Sequence, residues 1–473
     1  MNENYDIVVL GGGIGGYTAA VRAAQLGMKV AIVEKDKLGG TCLHRGCIPS
    51  KSLLRSAEVF ALMKQSEQYG VAAAAPTLDF AKVRERKQRI VEQLAKGLEY
   101  LMKKNKIDVV RGSGRIVGPS IFSPKSGAVA VEKEDGDVVT VAGDRLIIAT
   151  GSRPRALPGL DVDGEKILTS EDALQLEELP KSVLIIGGGV IGVEWASMLN
   201  DFGVNVTVVE AEKHLAPQED GDISRELERL FKKRGIRFLT EARLLADTVS
   251  REVGQVSVEV VHKDKQMRLA ADIMLVSVGR QPVVENIGLE NTGVKVERGA
   301  IKVNEFMQTA ESHIYAVGDV IGGLQLAHVA AHEGIVAVEH IAGLRPQPIV
   351  PHRVPRCIYS RPEIASIGLT EQRAKELGHD VKIGKFPFRA LGKALVHGEA
   401  DGFAKVIADK KTDDLLGVHM IGPHVTDYIS EAALAQIVDA TPWEVGMAIH
   451  PHPTLSEALG NAMLAVDGKA IDI

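Results

Sequence analysis

The stretch Tyr5–Glu34, YDIVVLGGGIGGYTAAVRAAQLGMKVAIVE, decides how the rest of the chain is read. Tyr5–Leu10 is an apolar, β-branched run of the kind that forms a buried parallel strand. Gly11, Gly13 and Gly16 follow as G-x-G-x-x-G, Tyr17–Leu26 continues as an alanine-rich helix, and Gly27 ends it. Lys29–Val33 reads as a second strand, closed by the acid Glu34. Strand, glycine turn, helix, strand and terminal acid make a β–α–β unit suited to a dinucleotide. Glycines let the backbone turn tightly and approach a pyrophosphate at the positive end of the helix. The terminal carboxylate can accept from ribose hydroxyls.

The same design recurs downstream. Ser182–Ile186 is a strand, Gly187, Gly189 and Gly192 repeat the fingerprint, and Val193–Phe202 reads as a helix that Gly203 stops. Asn205–Val209 then leads to Glu210. First glycine to acid is 34 minus 11, or 23, in one copy and 210 minus 187, again 23, in the other. One fingerprint alone is a weak signal, and either acid alone reads equally as a solvated strand end. Two copies in register are a strong one. Glu210 also repels a 2′-phosphate, and no arginine follows it closely, so the second site favours NAD over NADP.

Around these units the chain shows a run of short strands from Arg115 to Asp144 with an Asp135-Gly136 hairpin turn. A strand at Leu146–Ala149 is followed by Thr150-Gly151, and one at Met274–Val278 by Gly279-Arg280-Gln281-Pro282. Ile314–Val317 ends in Gly318-Asp319. Pro346–Pro355 reads as a linker to a last domain of mixed strands and helices. At 473 residues the chain exceeds one ordinary core. The fold class expected is α/β, with two Rossmann-like dinucleotide-binding domains plus an α+β C-terminal domain.

Composition narrows the function. A net charge of −6 with both signs scattered argues against a nucleic-acid partner. The N-terminus has no basic segment leading into an apolar run, and no apolar stretch reaches a membrane span, so a cytoplasmic protein without a membrane partner is expected. Of three cysteines, Cys42 and Cys47 are close together and Cys357 stands apart, its expected role being packing. A cytosolic enzyme does not use such cysteines as structural staples. No second pair exists to complete a four-ligand metal site, so no metal is expected. A redox pair fits better, with two ordinary buried cysteines as the alternative.

The segment Gly39-Gly40-Thr41-Cys42-Leu43-His44-Arg45-Gly46-Cys47-Ile48-Pro49-Ser50-Lys51 leads into a helix through about Met63. A separation of five does not share a helical face, so bonded sulfurs require a distorted first turn. A helix start and Lys51 both favour thiolate. A dithiol exchanging electrons with a flavin must lie against its ring. Cys42 follows Glu34 by only eight residues, which assigns the first nucleotide site to the flavin.

Gly39-Gly40-Thr41-Cys42 followed by Gly46-Cys47-Ile48-Pro49-Ser50-Lys51 closely resembles the redox motif of the dihydrolipoyl dehydrogenases. Matching landmarks run from Tyr5 to His452-Pro453-Thr454-Leu455-Ser456-Glu457, essentially the whole chain. The resemblance implies a homodimer with FAD and NAD. Its domains would be FAD-binding with the redox disulfide (1–152), NAD-binding (153–278), central and returning to the FAD domain (279–346), and interface (347–473). It makes Cys42 the interchange thiol that meets the lipoyl group and Cys47 the thiolate against the flavin. It pairs Lys51 with Glu194 near the flavin, where a surface salt bridge is the bland alternative. It makes Gly114, Thr150, Gly151, Ser152, Asp319 and Ala327 flavin contacts and Gly279 a backbone contact to NAD.

Thiol–disulfide exchange needs a base, and imidazole suits neutral pH. In the family motif His-x-His-Pro-Thr-x-x-Glu the second histidine is that base, which assigns His452, with Glu457 orienting it and His450 holding the turn. Thr454-x-x-Glu457 also reads as a capping box for the next helix. His452 lies 452 minus 47, or 405, residues from Cys47, and the resemblance has it serve the partner subunit's flavin site.

Two departures stand out: His44-Arg45 where many members have Asn-Val, and Pro451 where alanine is frequent. Arg45 reads as a sensor of an acidic lipoyl domain or as a solvated loop charge. The Leu43-His44-Arg45 variant resembles the enzymes of some bacterial branched-chain 2-oxo acid dehydrogenase complexes. No lipoyl domain precedes Tyr5, so the lipoyl group is expected on a separate protein, of a 2-oxo acid dehydrogenase complex or the glycine cleavage system. The rival in class is an NAD(P)H-dependent reductase of another small disulfide such as glutathione. Mercuric reductase fits less well, because the C-terminus lacks a cysteine pair. A non-catalytic flavoprotein scaffold would have lost the redox pair or the base, and both are present.

Overall fold

The computed structural model describes residues 4–72, 74–119 and 127–471, so residues 120–126 of the expected strand run lie outside the described residues. The chain forms two compact units, one of Met1–Ser52, Arg84–Arg155 and Arg280–Ile349, the other of Leu53–Val83, Ala156–Gly279 and Val350–Ile473.

In the first unit Asn4–Leu10 is the central strand of a parallel sheet ordered Asp108–Arg111, Val30–Glu34, Asn4–Leu10, Val138–Ile148, Ile314–Ala316. Ile7, Val8 and Val9 are fully buried, as two-sided coverage of a parallel strand demands. The helix Ile14–Gln25 covers one face, packed along the helix Ala327–Ile341. The helix begins three residues before the expected Tyr17. Gly15 and Gly16 cost helix propensity, but each sits where a Cβ would press on backbone, of Ala330 and Gly11 respectively. Val138–Ile148 is longer than the expected Leu146–Ala149, because its first half pairs antiparallel with Ala128–Glu132 and its second half parallel with Asn4–Leu10. The turn at Asp135-Gly136 is present, with Gly136 at φ 85° and Lys133 N–H bonded to the Asp137 carbonyl at 2.9 Å.

The second unit repeats this design. A parallel sheet runs Arg237–Leu239, Asn205–Val209, Ser182–Ile186, Ile273–Val276, Ile167–Thr169, accompanied by an antiparallel sheet of Ala242–Glu252, Gln255–His262 and Lys265–Ala271. The fingerprint helix Val190–Phe202 again starts three residues before the expectation. The same unit holds a five-stranded antiparallel sheet, ordered Arg356–Ile358, Glu363–Gly368, Leu415–Gly422, Phe403–Asp409, Val381–Pro387. Helices Val425–Ile437 and Glu457–Ala465 pack with this sheet around a core that includes Phe386, Phe388, Val406, Met420 and Leu459. The fold is therefore α/β with two Rossmann-type sheets and an α+β portion at the C-terminal end. No helix of the described residues is long and apolar enough to cross a membrane.

Candidate active site

The three glycines of each fingerprint do different work, and the two copies agree. Gly11 and Gly187 turn at φ 108° and 103°, and a Cβ on either would collide with the carbonyl of the neighbouring strand, Ala149 or Ser277. Gly16 and Gly192 pack onto the carbonyls of Gly11 and Gly187, so nothing larger fits. Gly13 and Gly189 are the N-caps of their helices, and a Cβ there would meet nothing within 4 Å. Open space before unpaired helix N–H groups is what a pyrophosphate needs. The terminal acids are more engaged than expected. Glu34 accepts from Gly12 N–H at 2.7 Å and Asp36 N–H at 2.8 Å, and Glu210 accepts from Gly188 N–H at 2.5 Å and Glu212 N–H at 2.8 Å. Each carboxylate thus braces its glycine loop while keeping lone pairs for ribose hydroxyls. Both sites fit a dinucleotide.

Cys42 and Cys47 form a disulfide with Cα atoms 4.7 Å apart. The pair spans a break in the helix. Cys42 lies on a short helix Gly40–Arg45, Gly46 leaves helical geometry at φ −145°, ψ −111°, and Cys47 opens the helix Cys47–Lys64. A distorted turn within one helix would have strained both residues, whereas a break at Gly46 separates the two geometries. The pair is tied to the first nucleotide fold by backbone: Gly39 N–H donates to the Gly12 carbonyl at 2.8 Å, and a Cβ on Gly40 (φ 59°) would stand 2.8 Å from Gly13 Cα. His44 Nε2 bonds the Leu38 carbonyl at 2.8 Å, and Arg45 pairs with Asp36 at 3.1 Å. The two residues that depart from the commoner pattern therefore hold the redox helix to its own preceding loop.

Ser152 joins the other expected contacts. Its hydroxyl donates to Asp319 at 2.5 Å and accepts from Arg280 Nε at 2.7 Å, while Arg280 also reaches the Ser152 carbonyl at 2.9 Å. These bonds sit where strands Ser152–Pro154 and Arg280–Pro282 pair antiparallel. Thr150 donates its hydroxyl to the Val283 carbonyl at 2.7 Å, and Gly151 turns at φ 71° with open space beside it. Gly114 has a packing reason, since a Cβ there would press on Leu10 and Val33 side chains. Ala327 opens its helix after an extended Leu326, so it stands at a helix N-terminus. In the second unit Gly279 turns at φ 103° with open space where a Cβ would point. Arg280 is not among the site residues expected from the sequence, and its place in the Gly-Arg-Gln-Pro breaker cluster is the signal the sequence offers for it.

His452 and Glu457 meet: His452 Nδ1 lies 2.9 Å from Glu457 Oε1. A carboxylate only accepts, so Nδ1 carries the proton and Nε2 presents the basic lone pair. The ring is 79% exposed. Glu457 Oε2 accepts from Thr454 N–H at 2.8 Å, which is half of the expected capping box. The other half is absent, because the helix starts at Glu457 after Ser456, and the Thr454 hydroxyl donates instead to the Pro451 carbonyl at 2.7 Å. Burial would raise the Glu457 carboxyl, but the Thr454 N–H and the His452 contact outweigh it and hold it below the usual range. His450 bonds Glu431 at 2.8 Å, and its ring fills the space beside Gly460, fixing the turn to two helices. The Glu431 contact raises its pKa despite burial. Glu431 was not anticipated, and nothing local marks it.

Lys51 lies in the first turns of the helix Cys47–Lys64 and is half-buried. Glu194, in the other unit, is 7% exposed and accepts from Tyr359 N–H at 2.9 Å. Cys357 lies outside the disulfide, on the strand Arg356–Ile358, packed against the core of the antiparallel sheet.

Two dinucleotide folds of one design, with a disulfide pinned to the glycine loop of the first, define a nucleotide-dependent disulfide oxidoreductase. Residues 5–334 match the family described as pyridine nucleotide-disulphide oxidoreductase, and residues 354–463 match the dimerisation domain of that family. The chain is 62% identical over 472 residues, 100% of both chains, to a dihydrolipoyl dehydrogenase of Bacillus subtilis (strain 168). It is 43% identical, again over 100% of both, to one of Zymomonas mobilis. Among solved structures it resembles LpdA of Mycobacterium tuberculosis with a TM-score of 0.89 at 28% identity, covering 97% of this chain and 98% of that one. The chain belongs to the pyridine nucleotide-disulphide oxidoreductases and, within them, to the dihydrolipoyl dehydrogenases.

Proposed function

We propose that this protein oxidises protein-bound dihydrolipoamide to lipoamide through the Cys42–Cys47 disulfide and FAD, reducing NAD+ to NADH, as a cytoplasmic homodimer serving a 2-oxo acid dehydrogenase complex or the glycine cleavage system. The observation that carries the reading is the disulfide itself, held by backbone to the glycine loop of the first nucleotide fold. We assign FAD binding to residues 1–152, NAD binding to 153–278, the central segment to 279–346 and the dimer interface to 347–473.

In this scheme His452 Nε2 takes the proton of one dithiol sulfur, that sulfur attacks Cys42, the Cys42–Cys47 bond breaks, and Cys47 leaves as thiolate. The second sulfur attacks the lipoyl sulfur of the mixed disulfide, its proton passes to the departing Cys42 sulfur to give a thiol, and the proton held on His452 balances the Cys47 thiolate. Two electrons have then passed to the cysteine pair. Glu457 holds the charged imidazole and fixes its tautomer. Lys51 and Glu194 would be assigned to the flavin edge. The first glycine fold, with Glu34 and Asp319, would hold FAD, which would supply two-electron transfer between the dithiol and NAD+.

Anaerobic mixing with dihydrolipoamide should produce a long-wavelength thiolate–flavin absorbance that NAD+ then discharges. If the flavin is bound and no such band forms, the reading fails. Glu457→Gln should lower lipoamide turnover about a hundredfold while leaving NADH oxidation by an artificial dye unchanged, because the dye reaction does not use the base. Glu457 is ionised throughout the neutral range, its pKa being depressed. Its hold on His452 is therefore full above the ordinary carboxylate range and weakens only as pH falls through the depressed value.

A further inference from the structure

The helix Ala327–Ile341 carries two acids. Glu339 is at its surface, paired with Arg22 at 2.5 Å. Glu333 is buried, at 8% exposure, on a helix that lies almost in backbone contact with the first fingerprint helix: a Cβ on Gly334 would stand 2.6 Å from the Gly15 carbonyl oxygen. Neither the glycine fingerprint nor the redox motif includes it.

Glu333 has a definite partner. Its Oε2 accepts from Gly318 N–H at 2.7 Å. Gly318 turns at φ 76° and opens the single turn Gly318–Ile321, which presents Asp319. Asp319 in turn accepts from Ser152, and Ser152 from Arg280. The far side of the Gly318 turn is closed by the helix that bears Glu333, since a Cβ on Gly318 would meet Ala330 Cβ at 3.3 Å. An apolar side chain at 333 would leave a backbone N–H without an acceptor at the point where the turn must leave its strand. Burial raises the Glu333 carboxyl, and the charge of Asp319 adds to the rise while the Gly318 N–H opposes it. A group costly to bury and fixed on one turn suits positioning better than packing.

We propose that Glu333 is a positioning residue for the flavin: it fixes the Gly318–Asp319 turn against the fingerprint helix and so sets how Asp319 would meet the flavin. This rests on the assignment of FAD to the first nucleotide fold. Glu333 acts through Gly318 and does not itself touch the flavin.

The test uses the holoenzyme and two variants, Glu333→Gln, which keeps an acceptor oxygen at the same reach, and Glu333→Leu, which does not. FAD release is followed by the rise of free-flavin fluorescence on dilution, and NADH affinity at the second site serves as control. The Leu variant should release FAD at least about tenfold faster than the parent, the Gln variant should return to within about threefold, and NADH affinity should not change. Equal FAD retention in Leu and parent, or release from Gln as fast as from Leu, would overturn the proposal. If the Leu chain does not fold, Glu333→Asp replaces it: one methylene shorter, it cannot reach Gly318, and FAD retention equal to that of Gln overturns the idea. A parent that holds no FAD at all would instead sink the assignment of the flavin to this fold.

Discussion

A Cys47→Ser chain is expected to keep its yellow flavin, reduce artificial dyes with NADH, and lose lipoamide turnover by at least about a thousandfold. Serine oxygen cannot form the disulfide that accepts electrons from the substrate, so that half-reaction stops while the nicotinamide half continues. The sharper expectation is the contrast with Cys42→Ser. Cys47 is the first residue of an 18-residue helix, whose opening N–H groups favour a negative sulfur. Cys42 sits in the middle of a six-residue helix. Cys42→Ser should therefore show a standing long-wavelength thiolate–flavin band without any substrate, and Cys47→Ser should show none under any condition. Visible spectra of the two oxidised variants, recorded across pH 6 to 9, decide the matter. A band in the Cys47→Ser chain would reverse the division of labour between the sulfurs.

What made this chemistry legible is that it is written locally. Strands Ser182–Ile186 and Asn205–Val209 were readable to the residue, because each is rich in buried valine or isoleucine and is bounded by its turns. Glycine fingerprints and the redox motif likewise place their demands within a dozen residues. The helix starts at Ile14 and Val190 were misjudged because what tolerates Gly15 and Gly16, or Gly192, there is the close approach of distant backbone. The helix break at Gly46 was hidden for a different reason: a glycine inside a helical pattern reads as a mild cost, not as a hinge between two sulfurs. The half-formed cap at Thr454 shows competition between two local rules. Glu457 has one oxygen for the backbone and gives the other to His452, so Thr454 Oγ turns elsewhere. Least legible was Lys405, one polar residue within the strand Phe403–Asp409. Its partners Asp220 and Asp222 lie 185 and 183 residues away.

Lys405→Met should be the most damaging single change to stability, costing about 3–5 kcal/mol. Lys405 is 1% exposed, and its ammonium binds Glu371 at 2.7 Å, Asp220 at 2.8 Å and Asp222 at 3.0 Å. Asp220 is equally buried and does two further jobs. It caps the helix Gly221–Lys233 through Asp222 N–H at 3.0 Å, accepts from Glu371 N–H at 3.0 Å, and so joins the helix after Glu210 to the antiparallel sheet. Burial opposes the charge on Lys405, but its hydrogen bonds to Asp220 and Glu371 outweigh that and raise its pKa, while the same contacts depress Asp220 and Asp222. The signs fix the pH window. The carboxylates' contribution is present above the ordinary aspartate range and is lost as pH falls through their depressed values. The lysine's contribution is lost only as pH rises past its raised value. The cluster is thus intact from mildly acidic to alkaline solution. Removing the ammonium alone strands the buried Asp220 carboxylate, whereas Lys382→Met, at a more exposed site beside Asp413 and Asp467, should cost no more than about 1 kcal/mol. Urea unfolding of the two variants at neutral pH makes the comparison. A Lys405→Met midpoint no lower than that of Lys382→Met would mean that the carboxylates take up protons or water when the lysine is gone. Adding Asp220→Asn to Lys405→Met should recover part of the loss, because it removes the most deeply buried of the stranded charges while keeping an oxygen to cap the helix.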